Sequence, residues 1–526
     1  MRIQVPRVAW CLLAWSLLAG SAGAGEPASR PVVVTDRGPV AGLRRDDGVT
    51  AFMGIPYAQA ARWRPPQPVS PWQAVRDALA AGPACPQDTS RFDATAGTGM
   101  DEHCHFVNVY AGDPAAPGKR PVMVWIHGGS FRWGTGADPL YDGKRFVDAG
   151  MVLVTFNYRL GRFGRFAHPA LSRAQAGEPL GNYALMDQIA ALEWVQRNAA
   201  AFGGDPGRVT VFGCSAGGVS VAALMVTPAS QGLFQRAISQ SGGIVEVNGQ
   251  RLAEDRPFAP SLEADGRRMA QKLQIGDGPD AVARLRALPA QDIISYDASE
   301  TGNSLNPVVD GRILPDDIGT LFDRGRQHAV PLLVGSADWE DSLLGRATIP
   351  PAAILAPVMA DIGALRAAYD GAPDEVLAHG WFRDGVFIAP TRLLADRMAR
   401  VGQPGYVYLV DYVAEQDRGQ VPGAAHCSET PYVFGNYAGR SFRGKTYRYG
   451  MADRAFGGII GAAWIEFARS GVPAADGLPG WPAFRFDTSD RMMLLDAAPR
   501  ELERYRPAVM DYYRQRTEAM LGATAR

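Results

Sequence analysis

The sequence has almost no excess of charge of either sign. Its 53 lysine and arginine residues nearly balance 54 aspartate and glutamate residues, which gives a formal net charge of -1 at pH 7. Domains that bind nucleic acid or an anionic membrane surface usually carry a strongly basic face. Neither nucleic acid nor an anionic membrane surface is therefore expected as a partner.

The sequence also lacks internal repeats, low-complexity tracts and linker-like segments after its N-terminal segment. Its 526 residues could hold several domains by length alone, but large α/β enzymes often build one sheet over such a span. We therefore predict a single domain over residues 25–526. We also expect no later run that is long and apolar enough to cross a membrane.

The N-terminus has the pattern of a secretory signal peptide. Arg2 and Arg7 precede an apolar run over residues 8–18, and residues 22–24 supply small side chains for a cleavage site. The run is too short to span a bilayer comfortably, which favours a cleaved signal over an anchor. We predict a signal peptide over residues 1–24 and a secreted or periplasmic protein that is not bound to a membrane after cleavage.

Cysteine is scarce, with five residues in the whole chain. Cys11 lies inside the predicted signal, so the exported protein would keep Cys85, Cys104, Cys214 and Cys427. An even number of cysteines in an oxidising compartment favours disulfides, and four cysteines allow three pairings. Cys85 and Cys104 are near in sequence and would close a small loop, which would leave Cys214 to pair with Cys427.

The segment over residues 209–218 has the pattern of a nucleophile elbow. A β-favouring run leads into Gly213-Cys214-Ser215-Ala216-Gly217, and a run of small residues with helical character follows to Met225. Gly-x-Ser-x-Gly between a strand and a helix holds the serine in a strained turn with its hydroxyl exposed. The two glycines leave room where a Cβ would clash with neighbouring elements. Ser215 is therefore the predicted nucleophile.

The rest of the chain alternates apolar runs with helical patterns, which predicts a parallel sheet with crossover helices. Short antiparallel strands are expected between residues 31 and 57, and a mostly helical insertion between residues 252 and 297. The expected later strands cover residues 107–110, 121–126, 151–156, 209–212, 236–241, 330–335 and 406–410, with a helix within residues 183–202 and another around residues 460–467. The predicted class is α/β.

Several longer motifs occur in a fixed order along the chain. They are Phe52-Met53-Gly54-Ile55-Pro56-Tyr57-Ala58, Asn108-Val109-Tyr110, His127-Gly128-Gly129-Ser130-Phe131, Asn157-Tyr158-Arg159, Gly181-Asn182-Tyr183, Phe202-Gly203-Gly204-Asp205-Pro206, Gln240-Ser241-Gly242, Val308-Val309-Asp310-Gly311 and Trp481-Pro482. With these motifs the chain resembles the type-B carboxylesterases of the α/β-hydrolase fold, a group that also contains the cholinesterases. The resemblance implies a large, mostly parallel central sheet flanked by helices, with antiparallel strands at the N-terminal side.

The resemblance implies a catalytic triad in the order Ser215, Glu340, His426, which agrees with the order typical of the fold. His426 lies in a Gly-x-x-His setting and would act as the base. Glu340 matches the acid, although the usual Asp-Glu-Gly is here Trp-Glu-Asp. Asp338 and Asp341 flank it, and either carboxylate is an alternative partner for the histidine.

The resemblance also implies an oxyanion hole. It would combine the backbone N–H of Ala216 with those of Gly129 and Ser130, while Gly128 lets the backbone bend. The alternative is a plain glycine turn after a strand. Ser130 replaces the glycine or alanine that is common in the family, but its backbone donor is unchanged.

Cys214 and Cys427 depart from the family pattern, which usually has glutamate before the serine and often glycine after the histidine. Because Ser215 and His426 must come within hydrogen-bond reach, their neighbours should be close enough for a disulfide. A similar Cys-Ser and His-Cys arrangement occurs in tannase and feruloyl-esterase relatives of the fold. The alternative is two buried, unpaired thiols. Cys214 itself is not expected to be the nucleophile, because its side chain should point away from the Ser215 hydroxyl.

Together these features predict an exported serine carboxylesterase that forms an acyl-enzyme on a small-molecule ester, with no metal or organic cofactor. Two alternatives are a non-catalytic, cholinesterase-like binding domain and a serine acyltransferase or amidase on the same fold. Phe131, Trp133 and Trp339 lie beside the catalytic motifs and could line an apolar gorge or serve only in packing. No feature of the sequence indicates the ester or the oligomeric state.

Overall fold

The computed structural model describes residues 30–90, 94–116, 118–243, 249–256, 259–300, 305–345, 349–437 and 448–524. The predicted signal peptide over residues 1–24 lies outside these residues. The described strands are β1 Val32–Val34, β2 Pro39–Ala41, β3 Leu43–Arg44, β4 Thr50–Pro56, β5 Arg76–Asp77, β6 Phe106–Ala111, β7 Arg120–Ile126, β8 Val152–Phe156, β9 Gly204–Cys214, β10 Arg236–Gln240, β11 Leu332–Ala337, β12 Gly405–Val410, β13 Arg491–Leu495 and β14 Arg500–Glu503.

Eleven of these strands form one mixed sheet in the order β14-β13-β12-β11-β10-β9-β7-β8-β6-β4-β3. Neighbours from β13 to β8 are parallel, while β14 at one edge and β6, β4 and β3 at the other are antiparallel. A separate three-stranded sheet has the order β1-β2-β5. The prediction of a large, mostly parallel sheet with antiparallel N-terminal strands is therefore confirmed.

The α-helices are α1 Lys144–Asp148, α2 Gly161–Gly164, α3 Pro169–Ala174, α4 Tyr183–Asn198, α5 Ala216–Leu224, α6 Leu262–Lys272, α7 Ala281–Arg286, α8 Ala290–Ser299, α9 Ile318–Asp323, α10 Pro351–Leu355, α11 Ile362–Ala368, α12 Asp374–Gly380, α13 Ala389–Arg397, α14 Thr430–Phe434, α15 Met451–Ser470 and α16 Pro507–Thr524. A π-helix, Trp381–Ile388, joins α12 to α13. Short 3-10 turns cover Pro139–Tyr141, Ala199–Phe202, Pro228–Ser230, Glu340–Leu343, Ala356–Asp361, Met398–Val401 and Glu415–Asp417.

The central strands are buried on both faces, which explains their continuous apolar sequences. Every residue of β8, β11 and β12 is buried, and so are residues 209–214 of β9. The side chains of consecutive strand residues lie on opposite faces of the sheet, where Val211 of β9 packs in one hydrophobic cluster and Phe212 in another. The sheet is thus a middle layer between two layers of helices. That residues 25–526 form one domain stays a prediction.

One apolar segment differs from the expectation. By length and composition, Pro351–Ala368 would suffice to cross a membrane, so the prediction that no such run follows the N-terminal segment is wrong. In the structure the segment is divided into α10, a 3-10 turn and α11, and most of it is not buried. Leu355, Val358 and Leu365 nevertheless point into the core. A single run of this kind is weak support for a membrane span.

Candidate active site

Ser215 lies where β9 meets α5 and has φ 59° and ψ -126°. This conformation is strained for a residue with a Cβ, by about 1–3 kcal/mol, and it is the conformation that a nucleophile elbow requires. A Cβ on Gly213 would lie 2.6 Å from the carbonyl oxygen of Ile126, and a Cβ on Gly217 would overlap the same atom. The two glycines of the motif therefore let the elbow pack against the end of β7.

The loop after β7 lies directly against the elbow. A Cβ on Gly128 would come within 2.6 Å of the Cys214 carbonyl oxygen and 3.1 Å of the Ser215 Cβ. Gly129 has φ +105°, a conformation that favours glycine, and Ser130 has φ 55°. This contact brings the predicted oxyanion loop to the predicted nucleophile, as the sequence motif requires.

The three predicted oxyanion donors are available. Within the described part of the chain, the backbone N–H groups of Gly129, Ser130 and Ala216 donate to no protein acceptor. Ala216 is the first residue of α5, so its N–H also lies at the positive end of a helix dipole. Unpaired donors beside a nucleophile can stabilise a negative oxygen.

His127 supports the start of this loop as a neutral ring. Its ring stacks on Tyr158 with centroids 4.4 Å apart, and its Nδ1 lies 2.9 Å from the carbonyl oxygen of Gly128. Burial lowers the pKa of His127 to about 4, although the carbonyl of Gly128 opposes the shift. The Tyr158 hydroxyl donates to the His127 carbonyl oxygen at 2.7 Å. His127 is therefore a structural residue of the loop and is not charged near neutral pH.

Gln87 fastens the far end of the same loop, a role that sequence reasoning missed. Its side chain accepts from Gly134 N–H at 2.8 Å, and its amide nitrogen donates to the Gly134 carbonyl at 3.0 Å and to the Cys85 carbonyl at 3.1 Å. Gln87 is buried and follows closely after a disulfide cysteine. The Cys85–Cys104 loop therefore holds the oxyanion loop through one amide side chain.

Glu340 and His426, the predicted acid and base, contact each other directly. Glu340 starts a 3-10 turn after β11, and its Oε2 contacts His426 Nδ1 in a short, fully buried hydrogen bond. Its other oxygen accepts from Ala337 N–H at 2.8 Å, and Ser342 Oγ accepts from His426 N–H at 3.0 Å. The carboxylate thus holds Nδ1 and leaves Nε2 to face another group.

The two alternative acids contact other groups. Asp341 Oδ2 lies 2.7 Å from His379 Nδ1, and Asp338 Oδ1 accepts from Ala424 N–H at 2.7 Å. Only Glu340, of the three carboxylates considered from sequence, therefore contacts the ring of His426.

The four cysteines form the two predicted disulfides, Cys85 to Cys104 and Cys214 to Cys427. Their Cα–Cα distances of 5.0 and 6.1 Å are usual for disulfides. Two disulfides in one chain indicate an oxidising environment. The second links the residue before Ser215 to the residue after His426.

The Ser215 hydroxyl and His426 Nε2 are not hydrogen-bonded. Within the described residues Nε2 has no partner, and it is buried. The disulfide nevertheless joins their sequence neighbours directly. Hydrogen bonds of this kind are often long in a site without substrate and tighten when substrate binds.

Two further side chains lie near His426, and no pattern in the sequence predicted either of them. Phe387, in the π-helix, packs edge-to-face on the imidazole with centroids 5.3 Å apart. Glu429 is fully buried, and burial raises its pKa above the ordinary range. Its Oε1 accepts from Gln240 Nε2 at 3.1 Å. A π-helix at a functional site is a recognised pattern, but its position cannot be inferred from composition.

Of the three aromatic side chains expected to line a gorge or to pack, Phe131 packs. It is 5% exposed, belongs to the main core cluster and meets Tyr158 edge-to-face. The backbone of Trp339 forms an isolated bridge with Ala425, in the histidine loop. A gorge role for Trp133 and Trp339 stays a prediction.

Comparison with known proteins identifies similar chains over nearly the whole length. A family model described as "Carboxylesterase family" matches residues 29–359 and 377–513. The fumonisin B1 esterase of Sphingopyxis macrogoltabida is 34% identical over 86% of this chain and 84% of its own. The para-nitrobenzyl esterase of Bacillus subtilis is 33% identical over 88% of this chain and 94% of its own. A Geobacillus stearothermophilus carboxylesterase structure, 31% identical, superposes with a TM-score of 0.78 over 92% of this chain and all of its own.

Proposed function

The chain belongs to the carboxylesterase family and is a carboxylic ester hydrolase. From that premise we propose that hydrolysis proceeds through a Ser215–His426–Glu340 triad and an acyl-enzyme intermediate. The observation that carries the proposal is the buried contact between Glu340 and the His426 ring, on a loop that a disulfide ties to the nucleophile elbow. Membership of the family supports hydrolysis of small-molecule esters independently of this triad.

The chemistry begins with Ser215 Oγ attacking the carbonyl carbon of the ester. As the new C–O bond forms, the hydroxyl proton passes to His426 Nε2, and the carbonyl electron pair moves onto oxygen. The resulting oxyanion lies where the N–H groups of Gly129, Ser130 and Ala216 can donate to it. Mutational losses at single donors of this kind in other enzymes correspond to about 3–4 kcal/mol of transition-state stabilisation.

Collapse of this intermediate breaks the bond to the leaving alcohol, which takes the proton from His426 Nε2. A water molecule then attacks the acyl group on Ser215, with His426 again accepting the proton, and a second collapse frees the carboxylic acid and restores the serine. Glu340 remains ionised throughout: it holds Nδ1 and stabilises the imidazolium that forms in both halves.

The proposed location is outside the cytoplasm, in a secreted or periplasmic protein. Two disulfides suit an oxidising compartment, and residues 1–24 have the features of a cleaved signal. N-terminal sequencing of the exported protein tests this proposal, and the expected first residue is Gly25.

A panel of p-nitrophenyl and aryl esters, assayed with the wild type and with Ser215→Ala, tests the proposed mechanism. We expect hydrolysis by the wild type, a loss of at least about 10³-fold in Ser215→Ala, and an organophosphate adduct on Ser215. An adduct on another residue, or undiminished turnover by Ser215→Ala, would contradict it.

The two alternatives from the sequence fare differently. A non-catalytic binding domain does not agree with the esterase relatives or with a site that keeps its serine, histidine and glutamate. An acyltransferase or amidase would use the same residues and differ in what accepts or leaves the acyl group. Product analysis in the same assay, with an added alcohol or an amide substrate, separates these activities from hydrolysis.

A further inference from the structure

Asp338 lies at the carboxyl end of β11, two residues before Glu340. The parallel register pairs Ala337 of β11 with Val410 of β12, so Asp338 and Asp411 leave adjacent strand ends side by side. The charge of Asp411 therefore acts on Asp338 from the neighbouring strand end. Two neighbouring carboxyl groups can hydrogen-bond to each other only when one of them holds a proton.

Asp338 also contacts the loop that carries His426. Its Oδ1 accepts from Ala424 N–H at 2.7 Å, and the neighbouring Trp339 N–H donates to the Ala424 carbonyl at 3.1 Å. Gly423 packs so closely that an added Cβ would lie 2.6 Å from each oxygen of Asp338. Asp338 therefore contacts the loop of His426 at the two residues, Gly423 and Ala424, that come shortly before the histidine.

The charged and titratable groups around the carboxyl pair do not neutralise it by a direct bond. Arg383, in the π-helix, acts on Asp338 by its charge, but within the described residues its guanidinium bonds go to Asp384, at 2.9 and 2.8 Å. Tyr505 is the other nearby group; burial raises its pKa, so it stays a neutral hydroxyl. Burial, followed by the hydrogen bond and the charge of Asp411, raises the pKa of Asp338 to about 8.

We propose that Asp338 is a positioning residue for ester hydrolysis: with Asp411 it holds one shared proton, and in that form it fixes the His426 loop against Glu340. The inference rests on the proposed triad. When the shared proton is lost, two like charges meet at adjacent strand ends about 5 Å apart and repel each other. The loop then shifts, and His426 no longer lies in line with its partners.

The direction of the pH effect on kcat follows from the protonation state of Asp338 that is active, which is the protonated one. Asp338 holds its proton below about pH 8 and loses it above. A group is about 90% ionised one unit above its pKa, so kcat of the wild type is expected to fall about tenfold by about pH 9. This alkaline decline is separate from the acid limb set by protonation of the base.

The test is the pH dependence of kcat for p-nitrophenyl acetate in the wild type, Asp338→Asn and Asp411→Asn. Hydrolysis by the Ser215→Ala variant is subtracted at each pH. In Asp338→Asn the new amide keeps an oxygen for Ala424 N–H and can donate to Asp411, which reproduces the protonated pair. We expect both variants to keep kcat near neutral pH and to lose the alkaline decline. Persistence of the decline in both, or its absence from the wild type, would overturn the proposal.

Two further variants separate positioning from general stability. Asp341→Asn makes the same change on the other side of Glu340, at a residue bound to His379, and should keep the alkaline decline. Asp338→Leu removes the acceptor of Ala424 N–H and should lower kcat about tenfold or more at every pH, with little change in KM. Turnover that survives in Ser215→Ala at neutral pH would refute the triad itself, and the experiment reports that failure separately.

Discussion

Removing the Cys214–Cys427 disulfide should weaken both the fold and the catalytic step. The double variant Cys214→Ala, Cys427→Ala opens a loop with a sequence separation of 213. On the chain-entropy model, that loop corresponds to about 5 kcal/mol of stability at 25 °C. The same change at Cys85 and Cys104, with a separation of 19, corresponds to about 3 kcal/mol.

The catalytic effect has a different origin from the loss of stability. The disulfide links the residues directly beside Ser215 and His426, which are not hydrogen-bonded to each other in the structure. A displacement of about 1 Å between reacting groups can cost on the order of 10²-fold in rate. We therefore expect kcat of the double variant to fall about 10- to 100-fold at a temperature where it is still folded.

The assay combines three measurements. Guanidinium denaturation gives the loss of stability, organophosphate titration counts the active sites, and p-nitrophenyl ester turnover per active site gives kcat. Thiol titration of the unfolded, unreduced wild type should find no free thiol on the mature chain. Two free thiols that map to Cys214 and Cys427, or a variant with unchanged kcat and denaturation midpoint, would refute the reasoning.

Three other changes give distinct outcomes. Glu340→Gln should lower kcat about 10³- to 10⁴-fold because it no longer stabilises the imidazolium, whereas Asp341→Asn should keep most of the activity at neutral pH; similar losses in both would argue against Glu340 as the acid. Gln87→Leu keeps the side-chain volume but frees Gly134, so the affinity for a trifluoromethyl ketone analogue should fall about tenfold with little change in substrate KM. Burial raises the pKa of Asp187, but the charge of Arg159, followed by that of His105, lowers it by more. The pKa of Asp187 is therefore below the ordinary range for a carboxyl group. A depressed carboxyl pKa adds stability that is present above about pH 4 and lost as pH falls, so Asp187→Asn should lower Tm at pH 7 and flatten its decline below about pH 5.

The sequence predicted the parts of the site that depend on local pattern. The elbow at Ser215 follows from two glycines between a strand and a helix, and the structure gives this serine the strained conformation that such a turn implies. The family, the fold and ester hydrolysis were predicted from motif order and are confirmed. The catalytic roles of Ser215, Glu340 and His426 stay predictions until the variants are assayed.

The contacts that hold the site in place could not be predicted in this way. Gln87 reaches Gly134 across 47 residues, and Asp338 meets Asp411 only because β11 and β12 pair in one particular register. Register and long-range side-chain contacts leave no periodic signal in a single sequence. The start of β9 was missed for a similar reason: Gly204 pairs with Arg120 across an irregularity in the ladder, ahead of the apolar run that marks the strand.

The position of the Cys214–Cys427 bond also affects how the enzyme would respond to proteases. Every peptide bond between these two cysteines lies inside a covalent ring. A single cut there would open the ring without separating the two fragments, which would remain attached beside the serine and the histidine. A hydrolase built in this way would keep its two catalytic loops joined after a single cut, whereas the same cut in a chain with two free thiols would leave two separate pieces.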